Sequence, residues 1–196
     1  MILNQERKCQ MRENDIRTLP DGSHFYFKGF KWIALDNNVD GGVLAVMASS
    51  WNGERYRFDE DYCNNYAESS LRKKLRDELL PVLGEDNLIP HEIDLVADNG
   101  DGGYGKISDK VFILSCDEYR KYRKHVPLIH EWMWTCTPWG ASTTTYLNSA
   151  RSVSETGYLY SEEVNEMDGI LPACVFNPVK VKVGYTIPTV EERSND

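Results

Sequence analysis

WMWTCTPWGASTTTY, residues 132–146, sets three tryptophans, a cysteine and a proline against a run of small hydroxyl residues. Trp132, Trp134 and Cys136 alternate with Met133, Thr135 and Thr137, the period of two that puts the two sets on opposite faces of a β-strand. Each tryptophan buries roughly 200 Å² when packed. Trp132 and Trp134 are therefore expected to form the core wall of a sheet. Trp139 lies between Pro138 and Gly140, where the strand leaves the sheet, and the pattern leaves its exposure open. Beyond it, STTTYLNSAR combines hydroxyls, an amide, a tyrosine and an arginine, the residue types of adaptable binding surfaces. The β propensity of threonine suits an edge strand with a solvated face equally well. The candidate binding face comprises Trp139, Thr143, Thr145, Tyr146, Asn148 and Arg151, together with Tyr158 and Tyr160 from the next strand candidate, GYLYS.

Working outward, HFYFKGFKWIALD (residues 24–36) follows a PDGS turn and reads as a strand bent at Gly29 or as two strands meeting there. NNVDGG (37–42) supplies the positive φ angles of a tight hairpin, and VLAVMASSW reads as its return strand. In YAESSLRKKLRDELLPVLG (66–84), Leu71, Leu75 and Leu79 recur every four residues, which predicts an amphipathic helix. Ser69 or Ser70 caps its start, and Pro81 is expected to end it. The glycine- and aspartate-rich part of NLIPHEIDLVADNGDGGYGKISDK reads as a long surface loop. DKVFILS (109–115) reads as a buried strand. Its Ser115, three residues before Glu118, forms the capping box that opens a second helix, CDEYRKYRK. Further strands are expected in GILPACVF and VKVKVGY. Two helices and many short strands predict an α+β domain with an irregular, mainly antiparallel sheet.

Bulk properties narrow the function classes. The 196 residues carry a formal charge of −9, with 41% hydrophobic and 27% charged residues. That length suits a single domain over residues 14–185, with an N-terminal extension at 1–13 and a disordered tail at 186–196. The negative charge argues against nonspecific binding to nucleic-acid phosphates and leaves a protein or other macromolecule as the expected partner. No apolar run approaches the roughly 20 residues of a membrane span, and no secretory leader is visible, so a cytoplasmic chain is expected. The five cysteines show no CxxC pair, which suggests free thiols rather than a disulfide framework or a zinc site.

Five pieces in order carry a family resemblance: WxxLD at Trp32–Asp36, SSLR at Ser69–Arg72, DKVFILS at Asp109–Ser115, WxWTxTPW at Trp132–Trp139, and GxxPA at Gly169–Ala173. Together they resemble a bacterial and phage family of domains without assigned function that has a C-type-lectin-like fold. The resemblance spans about residues 14–180. It implies a sheet-and-two-helix frame decorated by variable loops, in a prophage, mobile-element or phage-particle setting. It also implies a non-enzymatic binding role, such as a host-directed inhibitor of defence. Relatives by fold add two alternatives, an enzyme akin to the formylglycine-generating, sulfatase-modifying type and a virion structural or receptor-binding component. The chain departs from the family at Leu171, where an arginine is common, and at the doublet interrupted by Met133.

Candidates for chemistry are few. Asp94, Asp98, Asn99 and Asp101 offer oxygen ligands of the kind calcium takes, with Asp98 and Asp101 the leading pair, but their spacing does not match an EF-hand loop. His125 and His130 lack the helical i, i+4 spacing of zinc enzymes, and His24 and His91 stand apart. Cys136 acts as a nucleophile only with a base beside it, and a strand thiol between tryptophans is more often packing. No cofactor and no catalytic set are expected.

Overall fold

The structure, a computed structural model, describes residues 14–141, 147–183 and 185–186. Thr143, Thr145 and Tyr146 of the candidate face, the extension at 1–13 and residues 187–196 of the tail lie outside the described residues.

The chain opens with β1 (Asn14–Asp15), then β2 (His24–Phe27), β3 (Phe30–Val39) and β4 (Gly42–Met47). The aromatic run broken by Gly29 is thus two strands. Lys28 and Gly29, and again Asp40 and Gly41, all have positive φ, the double left-handed signature of two-residue hairpin turns. Gly42 answers a different need. A Cβ there would lie 2.5 Å from the Phe176 carbonyl oxygen, so the neighbouring strand leaves no room for a side chain.

The leucine repeat forms one helical run, α1 (Ser70–Lys74) passing through a π-turn (Leu75–Leu79) into α2 (Leu80–Leu83). Leu71, Leu75, Leu79 and Leu83 are all buried. Ser69 caps the start through its hydroxyl oxygen, 3.1 Å from the Arg72 amide, while Asp59 accepts from the Ser70 amide at 2.9 Å. Pro81 does not end the helix, as expected from sequence, but lies inside it, and Gly84 is the C-cap. The ring of a mid-helix proline displaces the preceding turn and removes a hydrogen bond. The wider π-turn just before Pro81, closed by the Leu80 amide on the Leu75 carbonyl, accommodates it.

After β5 (Leu88–Ile89) the expected glycine- and aspartate-rich loop is found over residues 95–105, but it is the tip of a hairpin not expected from sequence, β6 (His91–Asp94) and β7 (Lys106–Asp109). Its Gly/Asp-rich tip is folded on itself by the Ala97 amide on the Asp101 carbonyl at 2.9 Å and by three Asx turns. The short β8 (Phe112–Ile113) leads to α3 (Cys116–Tyr122), whose capping box forms as predicted between Ser115 and Glu118. Next come β9 (Met133–Pro138), β10 (Ser149–Val153), β11 (Leu159–Glu163), β12 (Pro172–Phe176), β13 (Lys182–Val183) and β14 (Tyr185–Thr186).

The described residues therefore form an α+β fold with antiparallel ladders and two helical runs. The larger sheet has the order β14-β2-β3-β4-β12-β5, with β8 also paired to β12. Phe176 sits at its centre, edge-on to Phe25, Phe27 and Trp32 at ring distances of 4.9–5.3 Å. A three-stranded sheet, β11-β10-β9, carries the tryptophan segment. It joins the larger sheet through the Trp134 amide on the Gly169 carbonyl at 3.0 Å and the Cys136 amide on the Leu114 carbonyl at 3.1 Å. The stretch SAR is consequently the middle strand of that sheet and not an edge; β11 forms the edge.

Candidate functional site

Strand β9 is buried on both faces, because it lies against the Phe112–Leu114 segment as well as against β10. Its register with β10 slips between Ala150 and Ser152. The Thr135 hydroxyl spans the bulge by donating to the Arg151 carbonyl at 2.8 Å. Cys136 has no exposure, and burial pushes its thiol well above the ordinary value. A thiol held in its neutral form does not serve as a nucleophile.

The two tryptophans expected to share the core part company. Trp134 is buried, edge-on to Phe58 at 5.5 Å, and its indole donates to the Tyr56 carbonyl at 2.8 Å. Trp132 precedes the strand, is only half-buried, and lies against the Tyr160 ring at 5.0 Å. The alternation holds, since Trp134 pairs with Ser152 and Ser152 with Tyr160, the ring that Trp132 meets; the two tryptophans share a face but differ in cover, because Trp132 lies just outside the end of β9.

Cross-strand partners share a face of a sheet. Arg151 pairs with Ser161, whereas Tyr160 pairs with Ser152 and Glu162 with Ala150. The predicted binding residues are thereby divided between two faces. On one, Arg151 lies over the Trp139 ring at 4.9 Å, donates to Ser161 at 3.1 Å, and faces Asp98 at 3.8 Å. The β6–β7 loop closes over this side, with the Asp98 amide on the Pro138 carbonyl at 3.0 Å. Asn148 is half-buried in the turn before β10 and its carbonyl accepts from the Val164 amide.

The calcium candidates are engaged in the same place. Asp98 stands between Arg120 at 3.6 Å and Arg151 at 3.8 Å, and Asp101 accepts from the Gly103 amide. Asp94 accepts from the Val96 amide, and Asn99 from the Asp101 amide. Among the described residues, no group of three or more His, Cys, Asp or Glu is placed to hold a metal ion.

The other face is buried at β9 and β10, where Trp134, Ser152 and Ala150 lie, and exposed at the edge strand β11. Tyr158 is 64% and Tyr160 48% exposed. The hairpin that carries them is tied down by α3, where the Tyr119 hydroxyl and the Arg123 guanidinium both donate to the Gly157 carbonyl. Two residues beyond Tyr160 on the same face is Glu162. The chain then turns back through Glu166, and Asp168 exchanges backbone hydrogen bonds with Tyr56 at 2.7 and 3.1 Å, while the Gly169 amide reaches the Trp132 carbonyl at 2.8 Å. Asp168 is thus held next to the Gly169 contact with the Trp132 backbone, with Glu162, Arg55, Glu166 and Glu131 as its charged neighbours. Arg55 binds Glu131 at 2.9 Å.

Asp168 is 8% exposed, and its Oδ2 is buried with no hydrogen-bond partner. Burial, followed by the nearby Glu162, pushes its carboxyl up to about 7 against the pull of Arg55. Sequence reasoning missed this group. The acid-rich SEEVNEMD run was its available signal, but nothing local says that Asp168 turns inward.

His91 forms a second polar cluster on the β6 side. Its Nδ1 lies 2.6 Å from Asp40 and its Nε2 2.9 Å from Glu118, and the ring stacks on Phe112 at 4.9 Å. Burial opposes charge on this imidazole, but the hydrogen bonds to Glu118 and Asp40 outweigh it and raise its pKa. With both nitrogens within hydrogen-bond distance of carboxylates, the arrangement favours the protonated ring. The remaining histidines, His24, His125 and His130, stand on other segments.

No protein-family model matches the chain, and no curated protein or solved structure matches it either.

Proposed function

We propose that the chain is a non-enzymatic binding module on a C-type-lectin-like frame, which recognises a protein through the exposed β11 edge of its three-stranded sheet. The observation that carries this reading is the Trp132–Tyr160 pair, an aromatic contact left partly in solvent on an edge strand and flanked by exposed Tyr158. Large aromatics supply contact area at low conformational cost and are enriched at the centres of interfaces. Leu128, 47% exposed, adjoins the same hairpin, since a Cβ on Gly157 would meet its side chain at 3.2 Å. The formal charge of −9 and the carboxyl groups beside the pair favour a basic partner surface. A host-directed role in a phage or mobile element, implied by the resemblance in sequence, belongs to this reading.

A photoreactive amino acid at position 158 tests it, compared with one at Val82, which is exposed on the helix. In extracts of the native host, a protein adduct is expected from position 158 and not from position 82. Tyr160→Ala, at unchanged melting temperature, should remove the adduct. Equal adducts from both positions, or an adduct indifferent to Tyr160→Ala, would overturn the reading.

A further inference from the structure

We infer that the partner binds by strand addition, an extended basic segment of another protein lying antiparallel to β11 along the free edge of the three-stranded sheet. The inference rests on the binding-edge reading and gives the partner a backbone conformation and a charge.

The β10–β11 ladder fixes which backbone groups are free. The Ser154 amide donates to the Tyr158 carbonyl at 2.8 Å and the Val164 amide to the Asn148 carbonyl at 2.9 Å, with Ser152 opposite Tyr160 and Ala150 opposite Glu162 between them. Hydrogen-bonded pairs alternate along an antiparallel ladder, so Tyr160 and Glu162 turn their amides and carbonyls towards β10. Leu159, Ser161 and Glu163 turn theirs outward. Among the described residues no strand lies on that side, and of these outward groups only the Glu163 carbonyl is taken, by the Glu166 amide at 2.9 Å.

β11 lacks the usual protection of a sheet edge. Natural edges are kept very short, bulged, covered, or interrupted by proline or lysine. β5 and β14, which end the larger sheet, have two residues each, and the far side of β9 is closed by the Trp134 amide on Gly169 and the Cys136 amide on Leu114. β11 has five residues, none of them buried, in unbroken register with β10 and without proline or lysine. Its guard is negative charge.

That guard selects the occupant. Glu162 and Glu163 on β11 and Glu166 in the turn after it are acids, and no Lys or Arg occurs from Leu159 to Asp168. The guanidinium of Arg151, which donates to the Ser161 hydroxyl, is held over Trp139 and against Asp98. A second copy docking through the same edge would add its own Glu162 and Glu163 to the strand pair, between chains of formal charge −9. Like charges on paired strands are destabilising, whereas Lys or Arg opposite Glu162 and Glu163 is favourable. Antiparallel pairing then sets the partner's order: two consecutive basic residues opposite Glu163 and Glu162, a hydroxyl residue opposite Ser161, and a β-branched residue opposite the exposed Tyr160. Main-chain hydrogen bonds supply affinity in this mode, and the side chains supply the choice of partner.

The test uses the full chain and the capped peptide Gly-Lys-Lys-Thr-Val-Thr-Gly, whose first threonine lies opposite Ser161. The controls are its Glu-Glu counterpart and a copy N-methylated at that threonine. Binding is read from backbone amide resonances and their hydrogen exchange. In the free chain the Leu159, Ser161 and Glu163 amides should exchange fast, and those of Tyr160 and Glu162 slowly. The peptide should shift the Leu159, Ser161 and Glu163 amides saturably and slow their exchange. The N-methyl peptide should bind about tenfold more weakly, having lost an inter-strand hydrogen bond, and the acidic peptide should not bind. Ser161→Pro removes an outward N–H that β10 does not use, and should abolish binding at a melting temperature close to wild type. Ser161→Ala, which loses the Arg151 contact but keeps the N–H, should bind as wild type does. If Ser161→Pro unfolds, Glu163→Pro against Glu163→Gln makes the same comparison at the strand end. No binding, equal binding of either control peptide, or retained binding by the folded proline variant would overturn the inference, as would protection of the same amides by self-association without peptide. If the peptide fails while the position-158 adduct persists, only this inference falls. If both fail, the binding-edge reading falls with it.

Discussion

Arg72 grips Asp109 with two hydrogen bonds, Nε to Oδ2 at 2.7 Å and the terminal nitrogen to Oδ1 at 3.0 Å, and also donates to the Ala67 carbonyl. The pair ties the first helix to the end of β7, and neither side chain exceeds 17% exposure. It joins two of the motifs that carry the family resemblance, SSLR and DKVFILS. Removing one member leaves the other charge buried and unpaired. Arg72→Ala or Asp109→Ala should therefore cost about 3 kcal/mol in chemical denaturation. The double variant should cost less than the sum of the two. Additive losses would mean that the pair is not coupled.

The two tryptophans of the WMW stretch should respond differently to truncation. Trp134→Ala empties a core site and loses a buried indole hydrogen bond, which should cost about 3–5 kcal/mol. Trp132→Ala should cost about 1 kcal/mol, in keeping with a partly solvated contact. Comparable losses would place Trp132 in the core after all.

His91 makes stability depend on pH above neutrality. Its pKa is raised in the folded chain. Its contribution is thus fully present below the ordinary value near 6.5 and is lost as pH rises through the raised folded value. Melting temperature measured from pH 6 to 9 should fall more steeply in the wild-type chain than in His91→Gln. Parallel curves would show that the Asp40 and Glu118 contacts do not hold a charged imidazole.

Asp168 acts in a lower window. Its carboxyl is raised from 3.8 to about 7 by burial first and then by Glu162. The folded state binds that proton more tightly, so the contribution is present below 3.8 and is lost as pH rises to about 7. Asp168→Asn removes the cost of ionising there and should be more stable than wild type by about 1–2 kcal/mol at pH 8, with little difference at pH 4. An unchanged difference across that range would exclude the buried ionisation.

Asp98 is where the calcium candidates meet the tertiary structure. It faces Arg151, whose side chain is 11% exposed and whose Nε lacks a hydrogen-bond partner. Asp98→Asn should cost about 2 kcal/mol by leaving that arginine less compensated. Calcium and a chelator should leave the wild-type melting temperature alike. A chelator-sensitive melt that Asp98→Asn abolishes would instead identify a metal ligand.

Local chemistry was legible because its partners lie within a few residues of one another. Leu71, Leu75 and Leu79 declared a helix, Ser115 and Glu118 its neighbour's capping box, and Asp40–Gly41 a hairpin turn, each through contacts internal to its own segment. The same reading placed Pro81 at a helix end because it priced the lost hydrogen bond but not the π-turn that absorbs it.

The candidate site was only half legible. Tyr158 and Tyr160 were named from sequence, and their exposure fits a binding surface. Their separation from Arg151 and Trp139 follows from the β10–β11 register, which no single strand encodes. Trp132 stays half-exposed because it lies beyond the end of β9, against the edge-strand Tyr160, and Glu131, Glu162 and Asp168 are neighbours because two distant segments are stitched at Gly169. The sequence alone determined the two helices, the capping box and the tight hairpin turns, since those preferences are settled by backbone sterics and neighbouring side chains. Only the tertiary structure decided which acids converge and which aromatics stay wet, since burial and charge proximity depend on the path of the whole chain.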